Sequence, residues 1–381
     1  MTTTRDAGEP NASSPVLTQG PPSDHVSTGA RIVGLDAARG LAVLGMIGAH
    51  LVIVSAFDWG YPDTWFDLVN GRSAILFGLM AGVSLSLVSA RGRRAGGVEL
   101  LRVRISILVR ALAIFVIGTL LEVINSGFPI ILGTYAVVFV AGAWLISVRS
   151  RTLLIAAGVV ALVAPVVVLL AREVFYFAEP EPTLVTTELV YIVLLSEFAA
   201  VFWVGFLMVG IVVGRLDLGR LSVQVRLAII GGVLMLIGYG LGELGNTFAP
   251  DDLESDSWAA RVTNLLLQYP HSATTSEAVG SAGFALLVLA LCLAAGSTRV
   301  GRVLLYPVAA VGSMALTAYA GHFVAIVLLG DAAAYSTEYG VFLMFMAVTI
   351  AACVVWRALL GAGPLERIVT ALARRAARVP R

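Results

Sequence analysis

Ten stretches of roughly 20 apolar residues follow one another along this chain, at about 35–57, 67–89, 104–124, 129–148, 152–171, 189–213, 227–244, 277–296, 303–328 and 339–360. Each is long enough to cross a bilayer as a helix. Inside hydrocarbon the backbone must satisfy its own hydrogen bonds, so such segments form helices packed side by side. A mean hydropathy of +0.93, with 59% hydrophobic and 13% charged residues, lies far from a soluble domain. The expected fold is therefore all-α: a polytopic membrane protein of about ten transmembrane helices.

The loops suggest an orientation, since cytoplasmic loops collect arginine. One alternate set carries Arg91, Arg93, Arg94, Arg102 and Arg104, then Arg149 and Arg151, then Arg215, Arg220 and Arg226, then Arg299 and Arg302, and the tail from Arg367 to Arg381. The opposite set carries Arg172 and Arg261. Both termini are thus expected in the cytoplasm of a plasma-membrane protein. Residues 1–30, rich in Thr, Ser, Pro and Gly without an apolar core, read as a disordered cytoplasmic tail. Residues 31–361 read as the transmembrane domain. Residues 362–381 read as an interfacial amphipathic helix, with Leu365, Ile368, Val369 and Leu372 on one face.

Composition also removes chemistries. Basic and acidic residues number 25 and 24, leaving a net charge of +1 and no nucleic-acid footprint. Every basic residue is arginine, which excludes lysine Schiff-base chemistry. Cys292 and Cys353 lie in apolar runs and read as small core residues. With no HExxH, paired-cysteine, Walker or dinucleotide motif, no metal or nucleotide-driven reaction is expected.

Ionisable groups within apolar runs are costly and so mark function. The first run holds Asp36, Arg39 and His50. Eleven helical steps return His50 to within about 20° of the face of Arg39, roughly 16 Å further along the axis. The bland alternative for Asp36 and Arg39 is a structural ion pair. His271 and His322 fall toward the same membrane side as His50, and three imidazoles there form a candidate general-base site. Asp67, Asn70 and Ser73 recur at three-residue spacing beside Arg72, a cation on the arginine-poor side. Glu197, the most buried acid by position, could orient a histidine, pair with Arg72 or carry a proton, and Glu277 is a further acid near the outer end of its span. Tyr319 shares a helical face with His322.

The opening Arg31-Ile-Val-Gly-Leu-Asp36-Ala-Ala-Arg39-Gly resembles the first-helix signature of the heparan-alpha-glucosaminide N-acetyltransferase and YeiB-like bacterial membrane acyltransferases. Asp67-Leu-Val followed by Phe77-Gly78 is similar to the family's second helix. Pro270-His271-Ser-Ala-Thr274, Gly312-Ser-Met-Ala-Leu-Thr317-Ala-Tyr319 and Gly363-Pro-Leu-Glu366 resemble its bacterial branch.

The resemblance implies transfer of an acetyl or similar acyl group from cytoplasmic acyl-CoA, such as acetyl-CoA, to a sugar or envelope glycan beyond the membrane. The animal enzymes place a histidine in the loop before the Asp-Leu stretch, whereas Phe57–Phe66 has none here. His50 is the nearest substitute and resembles the Arg-then-His pattern of bacterial sugar O-acyltransferases. The expected catalytic group is then His50 with Asp67, His271 and His322. Asp36 and Arg39 would meet CoA, and Arg72, Asn70, Glu197, Tyr319 and Glu277 would meet the acceptor. The expected partners are the bilayer, acyl-CoA and a carbohydrate acceptor, with a homodimer allowed. The competing reading is a transporter or lipid or glycolipid flippase without acyl transfer.

Overall fold

A computed structural model describes residues 2, 32–52, 55, 57, 60–124, 127–178, 188–249, 258–330 and 339–378. The tail over 1–30, apart from Thr2, lies outside the described residues, as do Arg31, Asp58, Trp59, Glu179 and Glu181.

The described chain is helical, without a β-strand. Helices run over Val33–Leu51 (α1), Arg72–Ala95 (α2), Gly97–Ile124 (α3), Leu132–Leu145 (α4), Ser150–Ala178 (α5), Ala200–Val213 (α6), Leu221–Thr247 (α7), Trp258–Leu266 (α8), Thr275–Ser297 (α9), Arg299–Ser313 (α10), Ala315–Leu329 (α11), Tyr339–Leu360 (α12) and Pro364–Ala376 (α13). Among the described residues six helices are long and apolar enough to cross a membrane, or eight if each of two bent pairs is one span. The ten-span reading adds α1, which is charged, and α4, which has only 14 residues. The protein is thus a multi-pass membrane protein. Its lipid-facing surface comes mainly from α3, α5, α7 and α12, whose apolar stretches are largely unburied.

α1 sits at the centre, packed against α2, α9, α10, α11 and α12. Glycines allow this. A Cβ on Gly40 would stand 2.0 Å from the Val308 carbonyl oxygen, and one on Gly312 would stand 1.8 Å from that of Asp36, so α1 and α10 touch backbone to backbone. The Gly78–Gly82 pair on α2 packs against α6, as its spacing suggests.

Two stretches expected as continuous spans are broken. The run 189–213 bends by 59° between Leu195 and Ala200. Backbone groups freed within a membrane need partners. Here Arg172 donates to the Ser196 carbonyl at 3.2 Å, and the Thr134 hydroxyl donates to that of Phe198 at 2.8 Å. The run 303–328 bends by 73° at Met314. Glu366, at the start of α13, accepts from the backbone N–H groups of Leu316 and Thr317 and from the Thr317 hydroxyl. A carboxylate there satisfies orphan donors at the positive end of α11. The two motifs over 312–319 and 363–366 thus form one structural joint.

The amphipathic helix expected after residue 361 is α13, which packs on α3. Its apolar residues divide: Val369 and Ala373 are buried, whereas Ile368 and Leu372 are exposed.

Candidate active site

Three cavities lie in series along α1. At the His50 end, a cavity of about 30 Å³ is walled by His50, Ser73, Ile131, Phe198, His271 and Tyr319 among others. Polar groups of His50, Ser73, His271 and Tyr319 line part of it, and it is large enough for a water or two. His50 Nδ1 lies 3.0 Å from His322 Nε2, and the two rings are nearly parallel. Phe128 and Phe323 tilt against the His50 ring and hold it in place. One proton is shared across this contact. If it sits on His50 Nδ1, the other nitrogen of His50, Nε2, is unprotonated and basic.

His271 reaches the same cavity from the loop before α9. Its φ of 62° and that of Ala273, 54°, lie in the left-handed region that non-glycine residues rarely adopt. Glu277 holds the loop there: its carboxylate accepts from the N–H of His271 at 2.8 Å, the N–H of Ala273 at 2.7 Å and the Ser272 hydroxyl at 3.2 Å. Thr274 caps the helix by accepting from the Glu277 N–H. The arrangement is a capping box stretched by one turn of loop. Both carboxylate oxygens of Glu277 are engaged in this loop, so it acts on the cavity by fixing His271.

The edge of Phe198 meets the His271 ring, and burial lowers the imidazole's pKa to about 4. This ring is neutral in the folded protein at pH 7. Below pH 6.5 the unfolded chain takes up a proton at His271 that the folded chain refuses, so this residue's contribution lowers stability as pH falls from 6.5 toward 4 and is absent above that window. The melting temperature of the His271→Asn variant is accordingly less sensitive to pH between 6.5 and 4 than that of the parent.

The face expected to be shared by Asp67, Asn70 and Ser73 is interrupted: the helical turns over Pro62–Val69 end at Asn70, α2 begins at Arg72 after Gly71 at φ 68°, and the Ser73 hydroxyl donates to the Val69 carbonyl at 2.7 Å. Asp67 accepts from the Phe57 N–H at 3.3 Å and from the Asn70 amide at 3.2 Å. Arg72 donates to the Asp67 carbonyl at 2.9 Å and to the Tyr239 hydroxyl at 2.8 Å. These groups brace the turn before α2, while Val69, Gly71 and Ser73 provide the cavity wall itself. Glu197 corrects the expectation of a buried acid: the chain breaks at this point, and Glu197 is exposed.

At the other end of α1, Asp36 is buried and holds Arg39 at 3.2 Å, with Arg357 of α12 at 4.0 Å. Arg39 also donates to the Ser84 hydroxyl at 2.9 Å and to the Gly312 carbonyl at 3.3 Å. Its guanidinium walls two cavities of about 130 and 230 Å³, which also share Phe77, Ser84, Ile114, Phe139 and Leu316. The larger one contains Arg110, whose buried Nε has no hydrogen-bond partner. Tyr319 belongs both to the 130 Å³ cavity and to the one at His50, so its ring is the partition between the two. Its hydroxyl oxygen accepts from the Ile131 N–H at 3.3 Å.

Sequence reasoning missed Arg110, Arg357, Ser84 and the cap by Glu366. Arg110 carried a usable signal, because an arginine about six residues inside the 104–124 run is as anomalous as Arg39. Arg357 sits near the end of its run and looks like an ordinary boundary residue.

A partly buried, carboxylate-paired arginine at one end, a histidine pair at the other and cavities between them define the candidate site. The family described as "Heparan-alpha-glucosaminide N-acetyltransferase, catalytic" matches residues 31–241, more than half of the chain. The chain belongs to this family. A second family, described as "Protein of unknown function (DUF418)", matches residues 232–376. No curated protein matches the chain. His50 and Arg39 lie in the first match and His271, Tyr319 and His322 in the second, so the hydrogen bond between His50 and His322 joins the two.

Proposed function

We propose that the protein transfers an acetyl or similar acyl group from cytoplasmic acyl-CoA to a sugar or envelope glycan on the far side of the plasma membrane, with both termini in the cytoplasm. The single observation that carries this reading is the series of cavities from Arg39 to His50, with Tyr319 as the partition. Arg39 and Arg110 suit the phosphates of CoA, since guanidinium groups bind them through charge-assisted hydrogen bonds. The apolar walls between them and Tyr319 suit the pantetheine arm and the acyl group.

At the histidine pair the reaction is a direct displacement. The acceptor oxygen or nitrogen forms a bond to the thioester carbonyl carbon as His50 Nε2 takes its proton. The tetrahedral intermediate then collapses, the C–S bond breaks, and the thiolate takes that proton to leave as CoA. His322 orients the base and His271 borders the reacting atoms.

Loss of a charged hydrogen-bonding group costs about 1.5–3 kcal/mol, or roughly 10- to 100-fold in affinity. Arg110→Ala is thus expected to weaken acetyl-CoA binding to the purified protein by that factor, read by calorimetry. Unchanged affinity in both Arg110→Ala and Arg39→Ala would remove this mouth from the mechanism.

A further inference from the structure

A further cavity, about 360 Å³, lies outside the series just described, between α11 and α12. Its walls are apolar apart from two threonines and one ionisable ring, that of His322. Three of its residues, Leu329, Met344 and Val348, are 51%, 56% and 62% exposed, so the groove opens sideways and is continuous with the lipid-facing surface of α12. From Met344 to Trp356 it follows α12 for about 18 Å. Gly321 forms part of its floor, and a Cβ there would meet nothing within 4 Å.

His322 is 2% exposed, and its Nδ1 is buried without a hydrogen-bond partner. The backbone carbonyls of Ala318 and Tyr319 in the preceding turn hydrogen-bond weakly to the ring, short of the geometry of a full hydrogen bond to Nδ1. In the tautomer that leaves His50 basic, this Nδ1 carries a proton.

We infer that the groove holds the hydrocarbon tail of a membrane lipid whose polar head carries the acceptor hydroxyl or amine to the His50–His322 pair. This rests on the acyltransfer reading for its chemistry and on the groove alone for its binding. A lateral opening onto hydrocarbon admits a bilayer lipid directly. A donor acyl chain, by contrast, would arrive from the Arg39 end, on the far side of Tyr319. An apolar groove that reaches the ring paired with His50 matches a ligand that is hydrocarbon with a polar end.

Two measurements on the full chain in nanodiscs test this. First, a phosphatidylcholine carrying a diazirine at the tail terminus is photolysed and the labelled peptides are mapped. Label is expected on 315–329 and 343–356, reduced about 10-fold in both Gly321→Phe and Ala352→Phe, which fill the groove from opposite helices. Second, acetyl transfer is compared for dodecyl glucoside and methyl glucoside. A kcat/KM at least 10-fold higher for the dodecyl form is expected, lost in the two variants with the methyl glucoside rate unchanged. Labelling at the groove without any transfer supports the lipid site and counts against the enzyme reading. Transfer without tail preference, or label spread evenly over lipid-facing helices, overturns the groove.

Discussion

Replacing His50 by alanine lowers acyl transfer by about 10²- to 10⁴-fold, the usual worth of a positioned general base, with the protein still folded. His50 is half-buried at the end of α1, so its removal leaves the helix and its glycine contacts intact. His322→Asn has a smaller effect, because an amide still offers His50 Nδ1 an acceptor. Stopped assays of CoA release, with thermal unfolding in detergent as the folding control, check both variants. Turnover within twofold of the parent in His50→Ala would show that the base lies elsewhere.

Gly312→Val is expected to disrupt the fold itself. Any Cβ at residue 312 falls 1.8 Å from the Asp36 carbonyl oxygen and 2.5 Å from the Gly40 amide nitrogen, and neither backbone atom can move without moving its helix. Overpacking commonly costs 1–3 kcal/mol and more when backbone is displaced. The forced separation would also pull the Gly312 carbonyl from Arg39 and weaken the contact of Arg357 with both Asp36 and the Ala309 carbonyl. A lowered melting temperature together with weakened acetyl-CoA binding is the expected pair of results. A variant that melts like the parent would mean that α1 and α10 are not in backbone contact.

How much of this was legible beforehand depended on whether the cause was local. Helix type follows from apolar length, and the face shared by Arg39 and His50 follows from helical period, so both were readable. The nearness of His322 to His50 was suggested only by a shared membrane side, since 272 residues separate them. The bend at Met314 left no mark in the apolar run, because the carboxylate that caps the new helix lies at Glu366, some 50 residues later. Glu197 misled for the same reason: its depth was counted along a helix that is broken at that point. Glu277 was seen as an acid near the site, but its partners belong to a strained loop whose conformation periodicity does not reveal.

The most direct test of the central claim is one-sided transfer. Protein in sealed proteoliposomes receives labelled acetyl-CoA on the side of the arginine-rich loops, with a cell-envelope extract enclosed on the other. The account predicts acetylated acceptor in the enclosed extract, with equimolar free CoA outside, both lost in His50→Ala. Intact acetyl-CoA outside, or label that enters the lumen equally well without His50, would contradict it.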